Sequence, residues 1–203
     1  MPHLGFDVRD YSTRTKVGAP PVDDLLVLVP RRDSTLAPLV EVSTSSVRLR
    51  ERRLFFNTRR SASGLVVVPD VPAGTYAARV EARYYVPFRT TLTSPQTAPL
   101  GVTLHRDASY PFGAEDTVIR GLVQKASGAP NLGFDVLLTD TADPLINHRV
   151  PLNAGGEYVA FFPEKQTTTG MSIRAFHSTG SVTVALASVV LNRSNLVPLI
   201  TVP

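Results

Sequence analysis

The sequence predicts an all-β protein made of two tandem antiparallel β-sandwiches. Three observations lead there: short apolar segments rich in branched and aromatic residues, turn residues between them, and a landmark order that occurs twice. Seventeen prolines and thirteen glycines in 203 residues leave little room for long helices, since an interior proline costs a helix roughly 3 kcal/mol. Many short strands separated by frequent turns form sandwiches or barrels.

The strand-like segments, in order, are Asp24–Pro30 (DLLVLVP), Gly64–Pro69 (GLVVVP), Gly74–Phe88 (GTYAARVEARYYVPF), Thr117–Gln124 (TVIRGLVQ), Phe134–Asp140 (FDVLLTD), Glu157–Pro163 (EYVAFFP) and Ser181–Val190 (SVTVALASVV). Each is bounded by Gly, Pro, Asp or Asn. In the long third segment, Tyr76, Ala78, Val80, Ala82 and Tyr84 share one parity, and Arg79, Glu81 and Arg83 the other. That alternation predicts a single strand with one wet face. The last segment has the length of a helix, but its valines favour strand.

The repeat is visible as text. GAPPVDDLLVLVP from Gly18 matches GAPNLGFDVLLTD from Gly128, and SASGLVVVPDVPAGTY matches NAGGEYVAFFPE. A strand-like segment precedes each copy: GFDVRD in the first, IRGLVQK in the second. The expected domains are residues 1–109, with an Arg-rich inserted hairpin, and residues 110–203.

Hydrophobic residues make up 43% and charged residues 19%, enough to bury a core and too few charges for a disordered chain. With no cysteine there is no disulfide or thiol nucleophile. No stretch approaches the ~20 apolar residues of a membrane span, and the start MPHLGFDVRD lacks a secretory pattern. The expectation is cytoplasmic synthesis, with the Asn192-Arg193-Ser194 sequon a chance match.

The formal charge of +4 is concentrated in RLRERRLFFNTRRS, where Arg48, Arg50, Arg52, Arg53, Arg59 and Arg60 stand beside one acid. Three readings are open. The run is a solvated hairpin that guards a sheet edge, a protein interface anchored by Arg beside Leu54, Phe55 and Phe56, or a nucleic-acid grip. Nucleic acid is the least favoured, because the basic residues form one local cluster. The protein-interface reading is adopted for all six arginines because they sit in an insertion.

Other candidates are weaker. His3, His105, His148 and His177 show no metal-ligand spacing. Asp140 and Asp143 read as a polar turn before Pro144 rather than a calcium loop. Asp23 and Asp24 are strand neighbours and point to opposite faces. Tyr84, Tyr85 and Phe88 could stack a sugar, but strand packing is the simpler use. No catalytic motif is present, so neither an enzyme nor a cofactor, metal or small-molecule ligand is expected.

The landmark order resembles the carboxypeptidase regulatory-like family, small sandwiches of prealbumin (transthyretin-like) or Ig-like shape. The resemblance rests on GLVQKASGAPNLGFDVLLTD (Gly121–Asp140), on LNAGGEYVAFFP (Leu152–Pro163) with Asn153 at the usual Asp place, and on VPDVPAGTYAARVEARYYVPF (Val68–Phe88). Its motifs specify turns, not chemistry. Paired domains joined through Tyr110-Pro111-Phe112 look like components of phage-tail-like contractile injection systems. That resemblance implies a non-enzymatic adaptor that binds protein partners and copies of itself in a larger assembly. The alternative it leaves is a carbohydrate or cell-surface binding module.

Overall fold

The computed structural model describes residues 3–12, 25–28, 58–61, 63, 65–128, 134–163, 168–177 and 180–203. They fall into two compact units, residues 1–83 with 87–104, and residues 84–86 with 105–203. Both are all-β, each built from two sheets in the manner of a β-sandwich.

In the first unit, β1 (His3–Asp10) lies between β4 (Val66–Pro69), antiparallel, and β7 (Leu100–Leu104), parallel. Beyond β4, the short β3 (Arg59–Arg60) forms the edge. The facing sheet has the order β2 (Leu26–Leu28), β5 (Gly74–Glu81), β6 (Phe88–Ser94). Alternation decides which residues are buried. Leu4, Phe6 and Val8 are at most 2% exposed, while Asp7 and Arg9 on the other parity form an ion pair at 3.0 Å.

In the second unit, β8 (Val118–Lys125) pairs antiparallel with β11 (Glu157–Phe161) and parallel with β14 (Ser194–Leu196) and then β15 (Ile200–Val202). Pro198 falls in the break between those last two strands and cannot donate to a ladder. The facing sheet runs β10 (Asn147–Pro151), β9 (Asp135–Asp140), β12 (Met171–His177), β13 (Gly180–Leu186). Ile119, Val123 and Ile200 from one sheet share a core with Val136, Leu138 and Ile173 from the other.

The textual repeat is therefore a topological one. β4-β1-β7 has the pairing pattern of β11-β8-β14/β15, and β2-β5-β6 that of β9-β12-β13. One strand of each unit, β1 or β8, is also parallel to the end of its own unit, so one sheet of each unit is mixed while the other is purely antiparallel. The additional strand of each unit goes to opposite places: β3 extends the β4 sheet, whereas β10 pairs β9.

Two sequence expectations are corrected. The segment Gly74–Phe88 is not one strand. β5 stops at Glu81, and Tyr84 has φ 68°, a left-handed conformation that reverses the chain before β6 begins at Phe88. As a result Tyr85, not Tyr84, is the buried tyrosine. The supposed wet face of β5 also contains Arg79, which is 8% exposed and ion-paired with Glu81 two residues on. The segment Ser181–Val190 is a strand only as far as Leu186.

Candidate protein interface

Of the six arginines expected at an interface, Arg48, Arg50, Arg52 and Arg53 lie outside the described residues. Arg59 and Arg60 make up β3, at the edge of the first unit's larger sheet, with Arg59 exposed. Asp23 and Asp24 also lie outside the described residues.

The remaining weak candidates have structural work. His148 is buried, with its ring 4.3 Å from that of Phe162, and His177 stacks on Phe134 at 4.9 Å. Asp140 accepts hydrogen bonds from the Ala142 N–H at 2.8 Å and the Thr169 hydroxyl at 2.9 Å, which holds the turn that reaches Asp143. Tyr84 and Tyr85 both meet Tyr110 edge-on, at 6.4 and 5.8 Å. With Tyr85 buried, the pair offers no common exposed stacking face. Tyr110 and Phe112 belong to an aromatic stack, in which the Arg106 guanidinium lies 4.3 Å from the Tyr110 ring and 4.7 Å from Phe161.

The second unit carries an open groove of about 540 Å³, with Leu122, Leu196, Arg120, Asp107, Glu157 and Tyr158 in its lining. Sequence alternation did not point to it, although a glycine inside a strand is a known mark of close approach. That glycine is Gly121, which sits directly across from Tyr158 in the β8–β11 register. A Cβ there would stand 2.3 Å from the Tyr158 hydroxyl oxygen, so only glycine admits the ring.

The groove's polar groups are tied into the structure. Asn153 Oδ1 accepts from the Gly155 and Glu157 N–H groups at 2.9 and 3.0 Å, closing the turn in which Gly156 adopts φ 82°. Asn153 Nδ2 donates to Glu157 at 2.9 Å and to Asp107 at 3.2 Å. Asp107 also accepts from the Ser109 backbone and hydroxyl at 3.0 and 2.9 Å. Arg120 donates to the Ala108 carbonyl at 2.8 Å and lies over the Phe112 ring. Against this, Leu122 is 38% and Leu196 76% exposed.

Tyr158 is 2% exposed, and its hydroxyl has no hydrogen-bond partner among the described residues. Burial pushes this phenol well above its ordinary range. Tyr158→Phe is therefore expected to leave stability unchanged or raise it by about 1 kcal/mol, read from urea unfolding. The sign with pH follows from a folded-state value above the unfolded one. Stability is intact below the unfolded phenol's value and falls as pH rises past about 10, because only the unfolded chain ionises there. The difference between wild type and Tyr158→Phe isolates this group: the variant should lose less stability between pH 9 and 11, by about 1 kcal/mol over the whole window.

Fold and site define a class: tandem β-sandwiches that, among the described residues, expose sheet edges and an open groove lined mostly by apolar atoms. No family model matches the chain, and no curated protein matches it. Among solved structures, it is similar to the TIE protein of Bacillus anthracis at 9% identity and TM-score 0.33, covering 98% of this chain and 33% of that one. It is also similar to a streptococcal ancillary pilin, at 13% identity and TM-score 0.30, covering 98% and 68%. A third is the shaft pilin SpaA of Lactobacillus rhamnosus GG, at 9% identity and TM-score 0.30, covering 99% and 96%. This chain spans about a third of the length of the first.

Proposed function

We propose that this chain is a non-enzymatic structural adaptor, assembling with other proteins and with copies of itself, and that its assembly is a phage-tail-like contractile injection particle. The observation that carries the reading is the state of the groove. Asp107, Arg120 and Glu157 are occupied in holding turns and rings, while Leu122 and Leu196 stand open. A surface with its charges engaged internally and its apolar atoms exposed suits contact with another protein better than general acid–base work. The Tyr158 phenol, protonated at neutral pH like any phenol and pushed further up by burial, is no base there.

The likeness of the turn motifs to carboxypeptidase regulatory-like domains supports a scaffold role, and the Tyr110-Pro111-Phe112 segment supports the particle. The protein would be made in the cytoplasm and incorporated there. Arginine on β3, at a sheet edge, supports a second contact surface through the run that begins at Arg48. Co-expression with the products of neighbouring genes, followed by size-exclusion chromatography, tests the proposal. The wild-type chain should co-elute with sheath, tube or baseplate components. The triple variant Arg50→Glu, Arg52→Glu, Arg53→Glu should elute alone with its unfolding midpoint unchanged. A wild-type chain that elutes alone beside all such components overturns the adaptor reading; a triple variant that still co-elutes removes the arginines from it.

A further inference from the structure

We propose that β13 is a homotypic docking edge: two copies of the chain pair antiparallel through residues 180–186, with Thr183 on the two-fold axis. The inference rests on the reading of the chain as an assembly protein and names both the surface and the partner.

β13 ends the β10-β9-β12-β13 sheet: it pairs with β12 on one side and, among the described residues, is hydrogen-bonded to no strand on the other, while β15 of the other sheet comes within 8 Å of it without pairing. Such an edge presents backbone donors and acceptors to any chain that approaches, and soluble proteins guard it with charge, proline or brevity. The other described edges are guarded in those ways. β10 carries Arg149 and Pro151, β6 carries Arg89 and runs into Pro95, and β3 is two arginines. β7 is five residues long and directly follows Pro99, β11 opens on Glu157, and β2, β14 and β15 are three residues each. β13 reads GSVTVAL: seven residues without a charge or a proline.

The composition of β13 also selects the occupant. Val182, Val184 and Leu186 face the core but are only half-buried, because the sheet stops beside them. Ser181, Thr183 and Ala185 are exposed on the opposite face. An antiparallel pairing centred on Thr183 sets Val182 against Val184 and Gly180 against Leu186 on the core face. It sets Ser181 against Ala185, and Thr183 against its own copy, on the outer face.

Valine thus meets valine, threonine meets threonine and serine meets an alanine of similar size, with only Gly180 and Leu186 unlike, and no like charges are opposed. The half-covered apolar row of one copy continues into that of the other. A shift by one residue would turn apolar side chains toward water, and a shift by two would leave strand ends unpaired, so the Thr183-centred register is the one that pairs all seven residues. Self-complementarity of this kind is what an isologous two-fold contact requires, whereas an unrelated partner strand would require no symmetry in GSVTVAL.

Sedimentation equilibrium on the full-length chain tests this. Wild type should show a concentration-dependent monomer–dimer equilibrium. Ser181→Lys with Ala185→Lys places lysine against lysine at both outer pairs, and Ser181→Glu with Ala185→Glu does the same with acids. Each double variant should raise the dissociation constant about tenfold or more, with unchanged far-UV circular dichroism. An equimolar mixture of the two should restore dimers as a heterodimer.

Thr183→Lys, a single exposed substitution, should give the same loss should a double variant fold poorly. A wild-type chain that stays monomeric, or lysine variants that dimerise like wild type, overturns the assignment. In the latter case the adaptor reading survives through another surface. Failure to co-elute with neighbouring-gene products, by contrast, strikes the adaptor reading and leaves a β13 dimer standing.

Discussion

Phe6→Ala is expected to destabilise the first unit by about 3–5 kcal/mol, the range for emptying an aromatic site in a close-packed core. Phe6 has no solvent exposure. It sits in the central strand, opposite Val66 on β4 and Leu100 on β7, so no loop can collapse into the space it would leave. Phe6→Leu keeps most of the volume and should cost much less, about 1.5 kcal/mol or under. Urea unfolding measures both, and amide hydrogen exchange localises the effect: protection should fall in β1, β4 and β7. Equal losses for Ala and Leu would show that cavity volume is not what matters at this position.

Gly121→Ala should be nearly as damaging, although it adds a single methyl group. The new Cβ would lie 2.3, 2.5 and 2.7 Å from the Oη, Cζ and Cε1 atoms of Tyr158. Tyr158 is itself buried between the sheets and cannot swing aside. Overpacking of this type costs about 1–3 kcal/mol and sometimes more, here with lost exchange protection in β8 and β11. The clash has a specific cure. Removing the ring in Gly121→Ala/Tyr158→Leu should recover part of the loss, whereas Tyr158→Leu in the Gly121 background should only destabilise. A double variant that behaves as the sum of the two singles would disprove the contact.

Those two positions differ in how plainly the sequence announces them. Phe6 belongs to GFDVRD, whose alternation gives its burial at once. Gly121 lies in VIRGLVQK, where a glycine in a strand signals close approach without naming the approaching group. The ring comes from a residue 37 positions later, and only strand pairing brings it there. Tyr84 shows the opposite failure. Parity continues through it, yet its left-handed φ ends the strand, because the chain must turn before β6 can pair back on β5. Arg79 keeps the parity of a solvated residue and is buried all the same.

The groove shares that character. Asn153 and the glycines after it were readable as a turn, since an Asx side chain closes its own backbone within a few residues. That this turn would face Asp107, 46 residues away, was not. The edge status of β13 depends likewise on which strand is last in the sheet, a property of pairing and not of composition.

The sequence by itself determined the β class, the strands β8, β9, β11 and β13 of the second unit, the turn chemistry at Gly128 and at Asn153–Gly156, and the twofold repetition of the landmark order. Those follow from interactions between residues near one another in the chain: side-chain alternation, allowed backbone angles and local hydrogen bonds. Tertiary structure alone decided that β3 and β10 join different sheets, that Tyr158 lies over Gly121, that Arg79 is covered, and that an uncharged strand is left at the edge. Each of these is a relation between distant segments, set by which pairing buries the most apolar surface with its polar groups satisfied.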